Sequence, residues 1–199
     1  MILDHLWGLY AHPKNEWQQI DGHPETLGHT LAHVLFIALI PALCCYYATV
    51  FIGWEIGAGD PIKLTERSAM AMASSMYVAM VCGVFALAWL ALWMARTFGS
   101  EPSFNQTFEL AAYAATPMMM VGFAALFPVL WFVALAGIAG VAYSVYLLYT
   151  GVPILMHIPE ERGFIYASSL VTCGLVLLVC LMAGTVILWS WGLGPVFTH

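Results

Sequence analysis

Charge is what this sequence has least of. Only 8% of its 199 residues are Asp, Glu, Lys or Arg, against about a quarter in ordinary soluble domains. Hydrophobic residues make up 62%, a composition that aggregates in water and is stable only against lipid. The five Lys and Arg form no basic patch, and the formal net charge is -6. Nucleic acid is therefore not an expected partner.

A disulfide framework is also lacking. The five cysteines are an odd number, and Cys44, Cys45, Cys82, Cys173 and Cys180 all fall inside apolar stretches with no CxxC pair. They read as small hydrophobes rather than redox or metal groups. Catalytic signatures are missing as well: there is no GxSxG, HExxH, P-loop or Gly-rich nucleotide fingerprint. No Ser or Asp in the apolar stretches has an evident partner, so the chain is not expected to be an enzyme. Residues 1–28 lack an apolar core and a small-residue cleavage site and carry Asp4, Glu16, Asp21 and Glu25. A cleavable signal peptide is not expected, and the first apolar stretch would direct its own insertion.

What is present is five apolar stretches, at residues 31–54, 68–95, 107–126, 128–149 and 167–191. Each is about the roughly 20 residues that a helix needs to cross a bilayer. The expected fold is all-α, a polytopic transmembrane bundle of five helices preceded by a short polar amino-terminal arm. The arm would occupy residues 1–29 and the five-span membrane domain residues 30–193. Residues 107–149 suffice for two crossings, and Pro128 cannot continue a helix, so a tight hairpin is expected there. A re-entrant pair broken at Pro117 is the alternative. Lys14, Arg96 and Arg162 fall on the amino-terminal side and Lys63 and Arg67 on the other, which puts the amino terminus in the cytoplasm.

Small residues recur every four positions at Ala71, Ser75, Ala79 and Gly83, and again at Ala136, Gly140 and Ser144. That spacing lets helices approach closely. Packing within the bundle is the first expectation and a homo-oligomer interface the second. Trp54, Trp89, Trp93, Trp131, Trp189 and Trp191 lie near span ends, where aromatic belts anchor a protein at the two interfaces.

The third span reads Phe108-Glu-Leu-Ala-Ala-Tyr-Ala-Ala-Thr-Pro117, with Pro four residues after Tyr113 inside an apolar helix. The fourth ends Tyr146-Leu-Leu-Tyr-Thr-Gly-Val-Pro153, and the chain opens with Leu6-Trp-Gly-Leu-Tyr-Ala-His-Pro13. With five spans, a polar arm and a minimal carboxyl tail, the chain resembles the Yip family. These are membrane proteins named for interaction with Ypt/Rab GTPases in eukaryotic secretory membranes, with bacterial inner-membrane relatives. The opening is similar to that of the short bacterial members. Ala112 stands where the family commonly has Gly, and the Asp-Leu-Tyr-Gly-Pro motif of eukaryotic members is missing. The resemblance implies a multi-pass bacterial inner-membrane protein with a scaffold or interaction role and no catalytic residues. Its partners would be the bilayer, further copies or other membrane proteins.

The residues with chemical potential are few. Pro117 frees a backbone carbonyl and is expected to kink the third span, with Tyr113, Thr116 and Tyr149 as hydroxyls able to serve freed groups. Glu109 is the acidic residue deepest in an apolar stretch. Ser103 and Gln106 form a capping-box pattern before it, so Glu109 is expected near the membrane interface, with a proton or cation relay as the functional alternative.

Five of seven histidines lie in the first 33 residues: His5, His12, His23, His29 and His33. A helix starting at Pro24 would stack Glu25, His29 and His33 along one face. Those groups could hold Zn²⁺ or another borderline divalent ion, with His12, His5 or Glu16 completing the shell. The alternative is an interfacial arm whose histidines meet water, headgroups or Glu25. His157 reads as a solvated loop residue. Two function classes lead: a non-enzymatic scaffold, and a small metal-ion or cation transporter built on the histidine arm and the Pro-broken third span.

Overall fold

The computed structural model describes residues 8–55 and 61–198. Its helices are α1 (Pro13–Gly22), α2 (Leu27–Tyr47), α3 (Glu66–Ala95), α4 (Phe104–Met120), α5 (Leu130–Leu155) and α6 (Glu160–Leu188). Tight or wide turns lengthen four of them, so that five helical segments are long and apolar enough to cross a membrane. They are Leu27–Ile52, Glu66–Phe98, Phe104–Leu126, Leu130–Leu155 and Glu160–Gly192. The fold is the expected all-α polytopic bundle, and residues 107–149 form two of these helices rather than one broken crossing.

Where the boundaries differ from the sequence reading, polar residues are the reason. The last helix starts at Glu160, seven residues before the apolar run, because Glu160 and Glu161 in its first turn suit the positive helix end. Pro153 lies inside α5 and is tolerated there. Against it sits Gly163, where an added Cβ would come within 2.8 Å of the proline ring. At Pro117 the re-entrant break, the alternative reading, does not occur. The helix α4 continues through it to Met120, and the irregular backbone is the 3-10 turn Val121–Leu126 that follows.

The core is organised around α4. Of its most apolar stretch 56% is buried within the bundle, against 6% for the last helix. Phe108, Ala111, Ala112 and Met119 face Val34, Ile37 and Ala38 of α2 and Val84 and Ala88 of α3. The outer faces of the other helices carry Phe36, Leu43, Leu135, Ile138, Val179 and Met182, all exposed as a lipid-facing surface requires. Trp89, Trp93, Trp131, Trp189 and Trp191 point outward near helix ends, the arrangement expected of interfacial anchors.

Small residues mark two contacts. Buried Gly140 lets α5 meet α4, since a Cβ there would lie 2.5 Å from Val121 Cγ2 and 3.5 Å from the Pro117 carbonyl oxygen. Gly122 lets the α4 extension press on the backbone of Pro41 in α2. The α3 row is looser than its spacing suggests: Gly83 meets only Leu181 Cδ1, at 3.6 Å. The tight row on α3 is instead Ala88, Ala91 and Ala95, which are fully buried.

The two ends of the bundle are closed differently. One end is stitched by short backbone pairings: Trp54 with Ile62, Glu55 with Val129, and Leu64 with Phe197. There Ser68 donates to the Gly194 carbonyl at 3.0 Å. The other end is closed by the amino-terminal arm itself. Leu9, Trp17 and Ile20 are buried in one core with Leu110, Tyr113, Leu147, Leu155, Tyr166 and Leu170. Arm and membrane helices thus share a core.

Candidate functional site: a polar cluster beneath the amino-terminal helix

Beneath α1, polar side chains of α2 and α4 face one another inside the bundle. The two helices run parallel from the arm end, because both begin there and are separated by the one return helix α3. Their first turns explain the geometry. The helix α4 starts at the Ser103–Gln106 capping box, which forms in full, with Gln106 N–H donating to Ser103 Oγ at 3.3 Å. Thr26 in extended conformation precedes α2. Pro24 does not open that helix, because Thr26 rather than Asp21 or His23 is its cap residue. Glu25 therefore stands before the helix, and the expected three-residue stack of Glu25, His29 and His33 on one helical face is not formed.

What forms instead spans two helices. Glu25 reaches back so that its Oε2 lies 2.6 Å from His29 Nδ1, an ion-pair approach without hydrogen-bond alignment. The same Oε2 accepts from the Tyr113 hydroxyl at 2.8 Å. His33 is turned the other way. Its Nε2 lies 2.9 Å from Thr116 Oγ1, and Thr116 already donates its one hydroxyl proton to the Ala112 carbonyl at 2.9 Å. Thr116 must therefore accept from His33 Nε2. The His33 ring also packs on Tyr113, with centroids 4.9 Å apart.

Asn105 links Glu109 to the backbone of Glu25. Its Nδ2 donates to the Glu25 backbone carbonyl at 2.6 Å and to Glu109 Oε1 at 3.0 Å. Glu109 is fully buried, in the same stretch of α4 as Tyr113 and Thr116. The helix begins just before Glu109, as the capping box implies, and the side chain is enclosed by protein rather than open to water. Above the cluster, Trp17 meets Tyr113 edge-on at 6.4 Å between ring centroids. Trp17 occupies a notch at Gly151, where a Cβ would lie 2.7 Å from its Cε2.

The remaining sequence candidates fall outside this cluster. His5 lies outside the described residues, and His12 is the residue before α1, on its exposed side. Among the described residues no three His, Cys, Asp or Glu side chains gather in a metal-holding group. Glu25 and His29 are brought together, while His33 is directed to Thr116. His157 is not simply solvated: its Nε2 meets Asp21 Oδ2 at 3.0 Å and ties the α5–α6 loop to the end of α1. Tyr149 bonds Ser168 Oγ at 2.8 Å, and neither Tyr149 nor Tyr113 serves a carbonyl freed by Pro117. Sequence reasoning missed Asn105, Trp17 and Gly151. The spacing of Asn105 and Glu109, four residues apart on one helix, is the signal that could have joined those two.

The comparisons with known proteins agree with this architecture. Two curated relatives are 39% identical over 191 residues, covering 96% of this chain and 98% of their own length. Both carry the description inner membrane protein YohC, from Escherichia coli strain K12 and from Escherichia coli O6:H1. No solved structure matches the chain. The family model described as the Yip1 domain matches residues 7–181, from the start of the docked arm to well into the last helix, and the chain belongs to the Yip1-domain family.

Proposed function

We propose that this protein is a non-enzymatic scaffold of a bacterial inner membrane, with its amino terminus in the cytoplasm. The observation that carries the reading is the docked arm. Leu9, Trp17 and Ile20 are buried in the bundle core, so α1 is held as a fixed platform. Its outer face offers exposed Lys14, Asn15, Gln18 and Gln19, uncharged or cationic groups suited to contact with another membrane protein. The relatives' description as inner membrane proteins supports the location. A photocrosslinking residue at Gln18 tests the role in native membranes. Discrete adducts that disappear when Trp17→Ala releases the helix are expected. Adducts indifferent to that change would refute the platform.

A second reading has its own observation. Glu109 is a fully buried carboxylate inside a membrane-spanning helix, and such groups line ion pathways elsewhere. On this reading the protein moves a small cation, with Glu109 as the group that meets it. Ion flux in proteoliposomes, lost with Glu109→Gln, is the expected result.

A further inference from the structure

Two bonded neighbours in the cluster, Asn105 and Glu109, each keep a buried oxygen without a hydrogen-bond partner. Asn105 spends both amide protons, one on the Glu25 carbonyl and one on Glu109 Oε1. Turning the amide over would set its oxygen against two other oxygens, so the orientation is fixed. Its Oδ1 is left buried without a hydrogen-bond partner, and so is Glu109 Oε2. The amide oxygen can only accept, and so does Glu109 Oε2 when the group is a carboxylate. Glu109 is completely buried, and no lysine or arginine among the described residues makes an ion pair with it. A buried carboxylate oxygen that meets neither donor nor cation is costly enough that such groups are normally matched by one.

We propose that Glu109 and Asn105 form a binding site for a single monovalent alkali cation, enclosed beneath α1. The ligand class follows from the donor set. A carboxylate oxygen and an amide oxygen are hard donors, which select hard cations over zinc or copper. Among these donors only Glu109 carries charge, and one carboxylate balances one positive charge. The absence of a three-membered His, Cys, Asp or Glu group among the described residues points the same way. On the facing helix, Thr30 has a fully buried hydroxyl oxygen without a hydrogen-bond partner. It lies between His29 and His33, which already touch the α4 side of the cluster through Glu25 and Thr116, and it is the third ligand to test. The inference deepens the cation reading of Glu109 but requires binding only, not transport.

The test uses full-length protein in detergent at fixed pH and ionic strength. Exchanging N-methylglucamine for Na⁺, Li⁺ or K⁺ should raise the melting temperature for at least one of the three. Radioactive sodium measured by scintillation proximity should bind and be displaced by the preferred ion. Glu109→Gln should weaken that binding by roughly tenfold or more, the loss expected when a charged partner is removed. Thr30→Val, which keeps side-chain shape, should weaken it less, and Glu66→Gln, exposed at the far end of the bundle, should leave it intact. Wild-type protein with no ion-specific shift and no bound sodium overturns the site, whatever a flux assay reports. Binding without flux in proteoliposomes upholds the site and removes the transporter reading alone.

Discussion

Replacing Trp17 by alanine should release the amino-terminal helix while the five membrane helices stay folded. The Trp17 indole is fully buried, and removing a buried Trp side chain typically costs about 3–5 kcal/mol. At about 1.4 kcal/mol per factor of ten, the balance between docked and open arm moves by roughly two to three powers of ten. A protease can read that balance. Lys14 is the one Lys or Arg before Lys63, so a tryptic cut within the arm falls after Lys14, inside α1, where the backbone must open first. When opening and closing are faster than cleavage, the cutting rate follows the open population. Trp17→Ala should therefore raise it by about a hundredfold or more. Gly151→Ala presses on the same contact from the other side, since the new Cβ would sit 2.7 Å from Trp17 Cε2. Overpacking of this kind costs about 1–3 kcal/mol. In the double variant the indole is gone, which removes two of the three atoms nearest the added methyl and leaves Leu110 Cδ1, at 2.9 Å, so the two effects should be far from additive. A rate unchanged by Trp17→Ala, or additivity within the usual error of about twofold, would refute the notch.

Three further outcomes follow from the same structure. With five crossings, an alkaline phosphatase fused after the last helix should be active outside the membrane while an amino-terminal reporter stays inside; both reporting one side would make the span count wrong by one. Gly140→Leu should lower thermal stability in detergent by about 1–3 kcal/mol, because Val121 Cγ2 lies 2.5 Å from where its Cβ would be, and an unchanged melting temperature would mean that α4 and α5 do not meet there. Tyr113→Phe removes the donor 2.8 Å from Glu25 Oε2 at a cost of about 1.5–3 kcal/mol, the range for hydrogen bonds to charged groups, and equal stability of the two proteins would show that this bond is not formed.

The spans were legible because lipid imposes a length and a composition on any segment that crosses it. The capping box at Ser103 and Gln106 was legible because its chemistry is local, and it forms where the spacing placed it. The cluster was only partly so. Glu25, His29, His33, Glu109, Tyr113 and Thr116 were all singled out, yet their grouping depends on two helices that are far apart in sequence. Tyr113 meets Glu25 across 88 residues and His33 meets Thr116 across 83. The arm was harder still. Leu9, Trp17 and Ile20 are three apolar residues among polar ones, too few to mark a core segment by periodicity. Only the vacancy at Gly151 shows where Trp17 goes. Because that docking was not foreseen, the complete burial of Glu109 by protein was not foreseen either.

The seating of the arm has a consequence for biogenesis. The arm leaves the ribosome before the helices it packs on, and it cannot reach its place until α5 has followed. Leu9 waits for Tyr143, which donates to its carbonyl from 134 residues downstream, and Trp17 waits for Gly151. Until then α4 must be accepted by the insertion machinery while it carries Glu109, an ionisable group that lipid accommodates only at a cost. The short link at Phe127 and Pro128 brings α5 directly behind it, so the two enter as a pair and α4 exchanges lipid for protein neighbours at once. Closure of the arm end is thus the final act of assembly, and a truncated or stalled chain would expose the polar cluster that the finished protein conceals.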